Sequence, residues 1–377
     1  MRRGVGGSRS GVGYRVSPVG EFEEGRAMGR GALPRLAAML VLLGALALAA
    51  CGDDTAATGS SQPAAAGGGG GSNDGGLVSL GQAQQAAQQW WSDHEQALAR
   101  RDATALARLD ADPGALVTIQ NLRVALATQR GLIAQPRTPS AVRVHVPAGQ
   151  QSWPVPILAV FDLPGSGKSG GGHVAALLMA RGGGAPLVAL ESAALDAPEP
   201  QFDVDTAGYV RLIAAADQPA ALGRTSADIS STYGTYMSGL AHGSTPASTA
   251  PFADGQFTSG LAQKDAAFIA KAAAHQSGSV GSVQLGYIDL NFPTPVFALK
   301  GGGGLTMAAV QRDETLLPAQ GQAFLQDQSR NNWGVELAPG QYQQITMHSI
   351  VILAVRMPAA GAPMQVMGSG GGVYSEG

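Results

Sequence analysis

The chain has 377 residues, of which 45% are hydrophobic and 14% are charged, and its formal net charge is −3. This near-neutral balance argues against a nucleic-acid-binding protein, which usually carries a strong basic excess. A single cysteine excludes an intramolecular disulfide framework and any cysteine-rich zinc or iron–sulfur site. The length predicts two or three modules.

The first fifty residues carry the features of an export signal. A short basic stretch, 28–35, precedes an uncharged apolar run, 36–50, that ends at Cys51. The run is shorter than the roughly 20 residues that a membrane-spanning helix needs. The pattern therefore predicts a signal peptide over 1–50, cleaved between Ala50 and Cys51.

Residues 1–27 are unusual for the start of such a peptide because they include three glutamates. Met28 is therefore an alternative start of the translated chain. Removal of residues 1–50 takes away seven arginines and three glutamates, which moves the formal net charge from −3 to −7. A chain of this charge is not expected to adsorb to anionic lipid or nucleic acid by itself.

The four residues Leu48-Ala49-Ala50-Cys51 resemble the lipobox of bacterial lipoproteins. The resemblance implies that the Cys51 thiol is acylated and becomes the mature N-terminus, and that membrane lipid is a partner through its acyl chains. An ordinary signal peptide followed by an incidental cysteine is the alternative. Residues 51–76 then form a Gly-rich tether that is too polar and too poor in apolar residues to fold.

Beyond the tether, helical patterns precede short apolar strands, and this order occurs twice. We predict an α+β fold of two modules, 77–197 and 224–370, each with helices followed by an antiparallel sheet, joined by a linker, 198–223, and followed by a tail, 371–377. Asp102 is expected to cap the second helix. Three Gly-rich runs are interpreted as turns: 182–184, 301–304 and 368–372.

The sequence of residues 97–109 in this helix-then-strand order resembles the start of cone-shaped, NTF2-like folds. As a whole, the chain resembles uncharacterised lipoproteins of actinobacteria. The features that carry this resemblance are the lipobox, the tether, the two-part body and the run Phe252–Leu261 before an Ala-rich helix. That family implies no catalytic residue, so none is assigned.

No motif of the sequence points to a cofactor. Residues 165–169, Gly-Ser-Gly-Lys-Ser, approach a phosphate-binding loop, but Asp162 stands where its first glycine belongs and no helix is predicted to follow. The histidines lack metal-site spacing, so no metal is expected. They are His94, His145, His173, His242, His275 and His348.

The tryptophans are the candidates for a pocket wall. Trp90 and Trp91 are neighbours on a predicted helix, so their side chains point about 100° apart and one of them is expected to face a cavity or an interface. Trp153 lies beside a predicted strand end. Core packing is the simpler alternative for all three.

These observations predict a lipid-anchored, extracytoplasmic protein of the cell envelope without catalytic activity. Its partner is expected to be an envelope protein or a small ligand, and not nucleic acid. An extracytoplasmic hydrolase acting on envelope material, with its site in a helix–sheet pocket, is the first alternative. A small-molecule-binding lipoprotein is the second.

Overall fold

The computed structural model describes residues 76–128, 133–164, 172–196, 198–244, 250–274, 280–290, 292, 294–326, 340–359 and 362–376. The predicted signal peptide, Cys51 and the predicted tether up to residue 75 lie outside these residues, as do residues 165–171. The helices are α1 (Leu80–Arg100), α2 (Ala103–Leu109), α3 (Gly114–Thr128), α4 (Gln218–Leu222), α5 (Ile229–Ala241) and α6 (Ser259–Ala273).

The strands are β1 (Ala141–His145), β2 (Val155–Asp162), β3 (His173–Ala180), β4 (Val188–Leu195), β5 (Leu212–Ile213), β6 (Val280–Asp289), β7 (Val296–Ala298), β8 (Gly304–Pro318), β9 (Phe324–Gln326), β10 (Gly340–Tyr342), β11 (Ile345–Met357) and β12 (Gln365–Glu376). The protein therefore has the predicted α+β composition, with helices before strands in each half.

Local sequence explains where the first helices begin. Ser79 and Gln82 form a reciprocal capping box at the start of α1, in which each side chain accepts a hydrogen bond from the backbone N–H of the other residue. The Asp102 carboxylate accepts a hydrogen bond from the Ala105 N–H at 2.9 Å. Asp102 thus caps α2, as predicted.

Within the described residues, ten strands form one sheet. Its order is β1-β2-β3-β4-β12-β11-β8-β7-β5. The tenth strand, β6, pairs with the later part of β8, and β7 pairs with the beginning of β8. The strands β9 and β10 form a separate pair. Each pairing between named strands is antiparallel. Strands of the first half and of the second half meet where β4 pairs with β12.

The two outer edges of this sheet also meet. The Val210 N–H donates to the Val146 carbonyl at 2.9 Å, and the Ala148 N–H donates to the Val210 carbonyl at 2.8 Å. Because Val210 leads directly into β5, these bonds join the β1 edge to the β5 edge. The sheet therefore closes on itself and acquires an inner and an outer face.

Apolar side chains fill the inner face. Leu158 and Val160 of β2 belong to the same buried cluster as Met307 of β8 and Ile352 of β11, although these strands are far apart in the sheet order. Helices α1 and α5 cover parts of the outer face, whereas Val117 of α3 belongs to the inner cluster. Trp90 and Trp91 of α1 pack on the intervening residues of β2, and α5 packs on β8 and β11.

The boundary between the predicted modules runs through this sheet. The ranges 77–197 and 224–370 each supply strands to it, and residues 75–377 form a single compact unit. The range expected to be a linker, 198–223, contains β5 and α4. Its side chains Phe202, Val210 and Leu222 are buried in the core. The physical reason is that inner-face residues of both ranges bury their apolar surface against each other.

The glycines of 368–372 lie in β12, so their interpretation as a turn is wrong. A Cβ on Gly370 would lie 2.2 Å from the Ser192 carbonyl oxygen, and one on Gly368 would lie 2.3 Å from the Ala194 carbonyl oxygen. Glycine is needed here because the backbones of β12 and β4 approach closely. The runs 182–184 and 301–303 adopt positive φ in turns, as predicted, whereas Gly304, the last residue of the predicted run 301–304, begins β8.

A charged groove at the edge of the sheet

A surface groove of about 580 Å³ lies between β1 and the extended segment 199–204. Its size is within the range of small-ligand sites in proteins. Its walls combine both signs of charge with apolar surface. The lining residues are Arg143, His145, Glu199, Pro200, Gln201, Phe202, Asp203, Val204 and Lys300.

Strand alternation places the charged side chains of the groove. Arg143 lies opposite Val160 and His145 opposite Leu158, so both point to the inner face of the sheet at its β1 edge. Two residues beyond Val160, Asp162 occupies the same face. The inner face thus changes from apolar to charged as it approaches this rim.

Arg143 holds two carboxylates at once. Its Nη1 and Nη2 atoms donate to Asp162 at 2.5 and 2.8 Å, and its Nε donates to Glu199. The hydrogen bonds with Arg143 lower the pKa of Asp162 to about 2 and keep that carboxyl ionised. The same bonds, led by the one with Asp162, raise the pKa of the Arg143 guanidinium.

Each of these carboxylates also contacts a histidine. His173 Nδ1 lies 2.6 Å from Asp162, and His145 Nε2 contacts Glu199. Burial of Glu199 raises its pKa, but the hydrogen bonds from His145 and Arg143 outweigh burial and leave the pKa below its ordinary value. His145 also stacks on Phe202 with ring centroids 3.9 Å apart. The five charged and histidine side chains form one continuous chain of contacts.

The opposite wall of the groove is more open. The Lys300 side chain is exposed at the turn after β7, and its backbone N–H donates to the Gln201 carbonyl at 2.9 Å. No ion pair of the Lys300 ammonium is found among the described residues. Val204, which lines the same groove, is 50% exposed. The groove therefore offers a cation and an apolar surface next to a fixed charged wall.

The predicted pocket-wall residues lie elsewhere and in different surroundings. Trp91 lines a smaller cleft of about 320 Å³ between α1 and residues 136–142. One face of its indole stacks on Phe161 at 4.5 Å, and the Arg137 guanidinium lies 5.7 Å from the ring centroid. Arg137 is bound to the buried Glu95, so the ring offers little free surface.

Trp90 is buried, and its Nε1 donates to the Leu109 carbonyl at 3.0 Å. Trp153 is 41% exposed at the end before β2, where its ring packs on Gly182. The structure therefore does not bring Trp90, Trp91 and Trp153 together in one pocket.

The groove residues were not identified from the sequence as a site. Arg143 and His145 alternate along a strand, and Glu199 stands between two prolines in a range expected to be a linker. The alternation of charged residues on β1 was the available signal, but nothing in the sequence connects it with Glu199, 54 positions away from His145.

Four histidines contact carboxylates, namely His94, His145, His173 and His348, and His242 contacts the Ser238 carbonyl oxygen. His94 contacts Asp110 at 3.2 Å, and His348 contacts Asp313 at 2.7 Å. Across the part of the chain that the structure describes, no group of three or more His, Cys, Asp or Glu side chains could hold a metal ion.

None of the helices in the described ranges has the length and hydropathy needed to cross a membrane.

Comparison with known proteins assigns the body to a family. Residues 75–376 match the family described as a domain of unknown function, DUF8094. The match covers most of the chain, and the protein belongs to this family. No curated protein and no solved structure matches the chain.

Proposed function

We propose that the protein is a lipid-anchored, extracytoplasmic binding protein of the cell envelope, and that its partner binds in the charged groove. The observation that carries this proposal is the groove itself, in which ion pairs fix the charged wall before any partner arrives. Preorganised side chains lose little conformational entropy on binding, which favours recognition. An envelope protein or a small envelope ligand suits a groove of this size.

The filled inner face favours binding at the surface over catalysis in an internal pocket. Apolar side chains from β2, β8 and β11 occupy the space inside the closed sheet. The groove, in contrast, offers Lys300 and Val204 to a ligand from outside. A partner segment or small molecule with an anionic group beside an apolar group would match these two side chains.

The anchor is supported by the lipobox Leu48–Cys51, and its test is independent of the groove. Cells that express the full chain are labelled with a clickable fatty acid. We expect label on the wild type and none on Cys51→Ala, with the variant lost from the membrane fraction. An unlabelled wild-type protein, or a membrane-bound Cys51→Ala protein, would contradict the anchor.

The groove is tested by site-specific photo-crosslinking in intact cells. A photoreactive side chain replaces Gln201 in the groove or, as the control, the exposed Gln85 on α1. We expect a defined crosslinked product, protein or small molecule, from position 201 and not from position 85. Lys300→Glu should abolish this product, because it reverses the charge that faces the ligand.

The product is then identified by mass spectrometry, purified, and titrated against the wild type and against Lys300→Glu. We expect the variant to bind at least tenfold more weakly, since a charge-assisted contact contributes on the order of 1.5–3 kcal/mol. Equal binding by the two proteins, or crosslinks that do not depend on position, would reject the groove as the binding surface.

A further inference from the structure

The centre of the closed sheet contains an acidic side chain without a protein partner. Glu191 of β4 is 1% exposed, and neither of its carboxyl oxygens has a hydrogen-bond partner among the described residues. A buried carboxylate normally has an ion-pair or hydrogen-bond partner, because an isolated charge is very costly in an apolar medium. Glu191 therefore requires an explanation.

The strand register directs Glu191 toward the inner face. It lies opposite Leu177 of β3, and it has the same parity along β4 as Ala193 and Leu195. These three neighbours all belong to the apolar cluster inside the sheet. The carboxyl group is thus surrounded by hydrocarbon.

No charged group faces Glu191 from the described parts of the elements that pack against β4. These elements are β3, α2, α3, β8, β11 and β12. Their charged or titratable residues with described side chains are His173, Arg108, Arg123, Arg312, Asp313, Glu314, His348 and Arg356, with Asp110 directly after α2.

Each of these residues is engaged elsewhere or points to solvent. His173 contacts Asp162, Asp110 contacts His94, and His348 contacts Asp313. Arg312 contacts Glu314 and Asp265 on the outer face. The three arginines at 108, 123 and 356 are exposed.

Burial alone therefore sets the protonation of Glu191, and it raises the pKa of this carboxyl to about 8. The unfolded chain titrates near 4.3. Because the folded state binds the proton more tightly, the contribution of Glu191 to stability is complete below about pH 4, falls as the pH rises from about 4 to about 8, and is constant above that.

Glu191 also lies beside the junction that joins the two halves of the sheet. The pairing of β4 with β12 consists of Leu195 with Gly368 and Ala194 with Ser369, and the Asp196 N–H adds a hydrogen bond to the Met367 carbonyl at 2.9 Å. Beyond these pairs, Asn121 of α3 reaches the Gly371 carbonyl only at 3.5 Å. This junction is shorter than the pairing of β4 with β3, which runs over most of β4.

We propose that Glu191 is a proton-dependent switch, which keeps the junction of β4 and β12 closed while its carboxyl is protonated and opens it when the proton is lost. An ionised Glu191 must be hydrated. Of the two pairings of β4, the one with β12 is the shorter, so its separation breaks fewer backbone hydrogen bonds. An envelope protein would thereby respond to an alkaline shift outside the cytosol.

Hydrogen exchange followed by mass spectrometry tests the switch on the full chain. Protection is measured at pH 6 and at pH 9 and corrected for the intrinsic exchange rate at each pH. In the wild type, we expect protection of β4 and β12 to fall roughly a hundredfold between pH 6 and pH 9, because the opening constant rises about tenfold per pH unit up to the folded-state pKa of about 8 and then levels off. Protection of β6 should stay constant, because β6 does not touch this junction.

Glu191→Gln keeps the shape of the side chain and cannot ionise, so its protection of β4 and β12 should be the same at both pH values. Asp217→Asn is the matched control, since Asp217 is exposed and makes no capping hydrogen bond. It should behave like the wild type. A wild type that shows no selective loss, or a Glu191→Gln protein that shows the same loss, would overturn the proposal.

Infrared spectroscopy gives a second readout that does not require the glutamine variant to fold. The wild type at pH 6 should show the carbonyl stretch of a protonated carboxylic acid in an apolar environment. That band should disappear on titration to pH 9 and be missing from Glu191→Leu. A wild type without the band at pH 6 would also reject the switch.

Discussion

Arg143 shows how much of the groove depends on one side chain. It binds Asp162 and Glu199 together, and each carboxylate in turn contacts a histidine. Without the guanidinium, Asp162 and Glu199 would each lose their hydrogen bonds with a permanent cation and would keep only their contacts with the histidines. The position of Glu199, and therefore of the segment that forms the far wall of the groove, follows from this contact.

We expect Arg143→Gln to lower the free energy of unfolding at pH 7 by about 1–2 kcal/mol, because it removes several charge-assisted hydrogen bonds from a partly exposed site. The pKa of Asp162 is depressed to about 2, so its contribution is present above its ordinary pKa and is lost as the pH falls toward 2. Urea denaturation should therefore show a smaller difference from wild type at about pH 2.5.

The control for this measurement is Arg211→Gln. Arg211 pairs with Asp203 at 3.0 Å, but the side chains are 62% and 46% exposed, so its loss should change stability by less than about 0.5 kcal/mol. If the two variants were equally destabilised, the Arg143 contacts would have no special structural role.

Sequence reasoning at the residue scale succeeded for local contacts and failed for distant ones. The Asp102 cap joins two residues only three positions apart, Asp102 and Ala105. The contact of His145 with Glu199 depends on how two remote segments meet, and residue types alone do not specify this. For the same reason, the sequence does not indicate that Glu191 is buried without a hydrogen-bond partner among the described residues. In the sequence it looks like an ordinary polar residue of a strand.

Among the elements, α6 is attached to the sheet by a buried polar cluster. Asp265 of α6 accepts a hydrogen bond from Arg312 of β8 at 2.9 Å and one from the Tyr287 hydroxyl of β6 at 3.3 Å. Glu314 lies 3.0 Å from the same guanidinium. Burial raises the pKa of Glu314 despite this contact. The cluster is therefore sensitive to loss of any member.

We expect Asp265→Ala to destabilise the protein by about 3 kcal/mol, because Arg312 would remain buried with one of its two carboxylates gone. Thermal unfolding followed by circular dichroism measures the effect. Lys264→Ala, at the neighbouring exposed position of α6, should leave the midpoint almost unchanged. A similar midpoint for both variants would show that the cluster does not hold α6.

The glycines of β12 give a second prediction for an element. Gly370→Ala should destabilise the protein by about 2 kcal/mol or more, because the new Cβ would overlap the Ser192 carbonyl oxygen. Gly286→Ala in β6 is the matched strand control, since the nearest atom to its Cβ would be 3.9 Å away. Equal urea midpoints for the two variants would contradict the close approach of β12 and β4.

Most helices and strands could be predicted from hydrophobic patterns, but the full length of β12 could not. The short apolar runs 141–146, 155–163, 174–181 and 187–195 predict strands, and β1 to β4 form there with small changes in their ends. The glycines at 368–372 predict a turn, yet β12 continues through them. Its continuation depends on the neighbouring backbones, which a pattern within the strand cannot indicate.

At the scale of the whole molecule, the closed sheet predicts cooperative folding. Each half leaves inner-face apolar residues that only the other half covers. We expect a fragment of residues 77–197 to remain largely unfolded, whereas a fragment of residues 76–377 unfolds in one transition. Circular dichroism and amide proton dispersion measure this difference. A fragment 77–197 with a cooperative transition of its own would instead support two independent modules.

The sequence does not predict that the sheet closes on itself. The order of helices and strands in each half is correct, but pairing between β4 and β12 joins segments more than 170 positions apart. Short strands with both faces buried carry few features that select one neighbour over another. The sheet order therefore had to come from the structure.

The place of β12 has a consequence for biosynthesis. This strand follows the other eleven in the chain, yet it lies in the middle of the sheet between β4 and β11. A nascent polypeptide cannot complete the hydrophobic interior until residues 365–376 have been synthesised. Premature termination or proteolysis in this stretch would leave an incompletely folded chain with exposed apolar surface, which chaperones would bind and quality-control proteases would degrade.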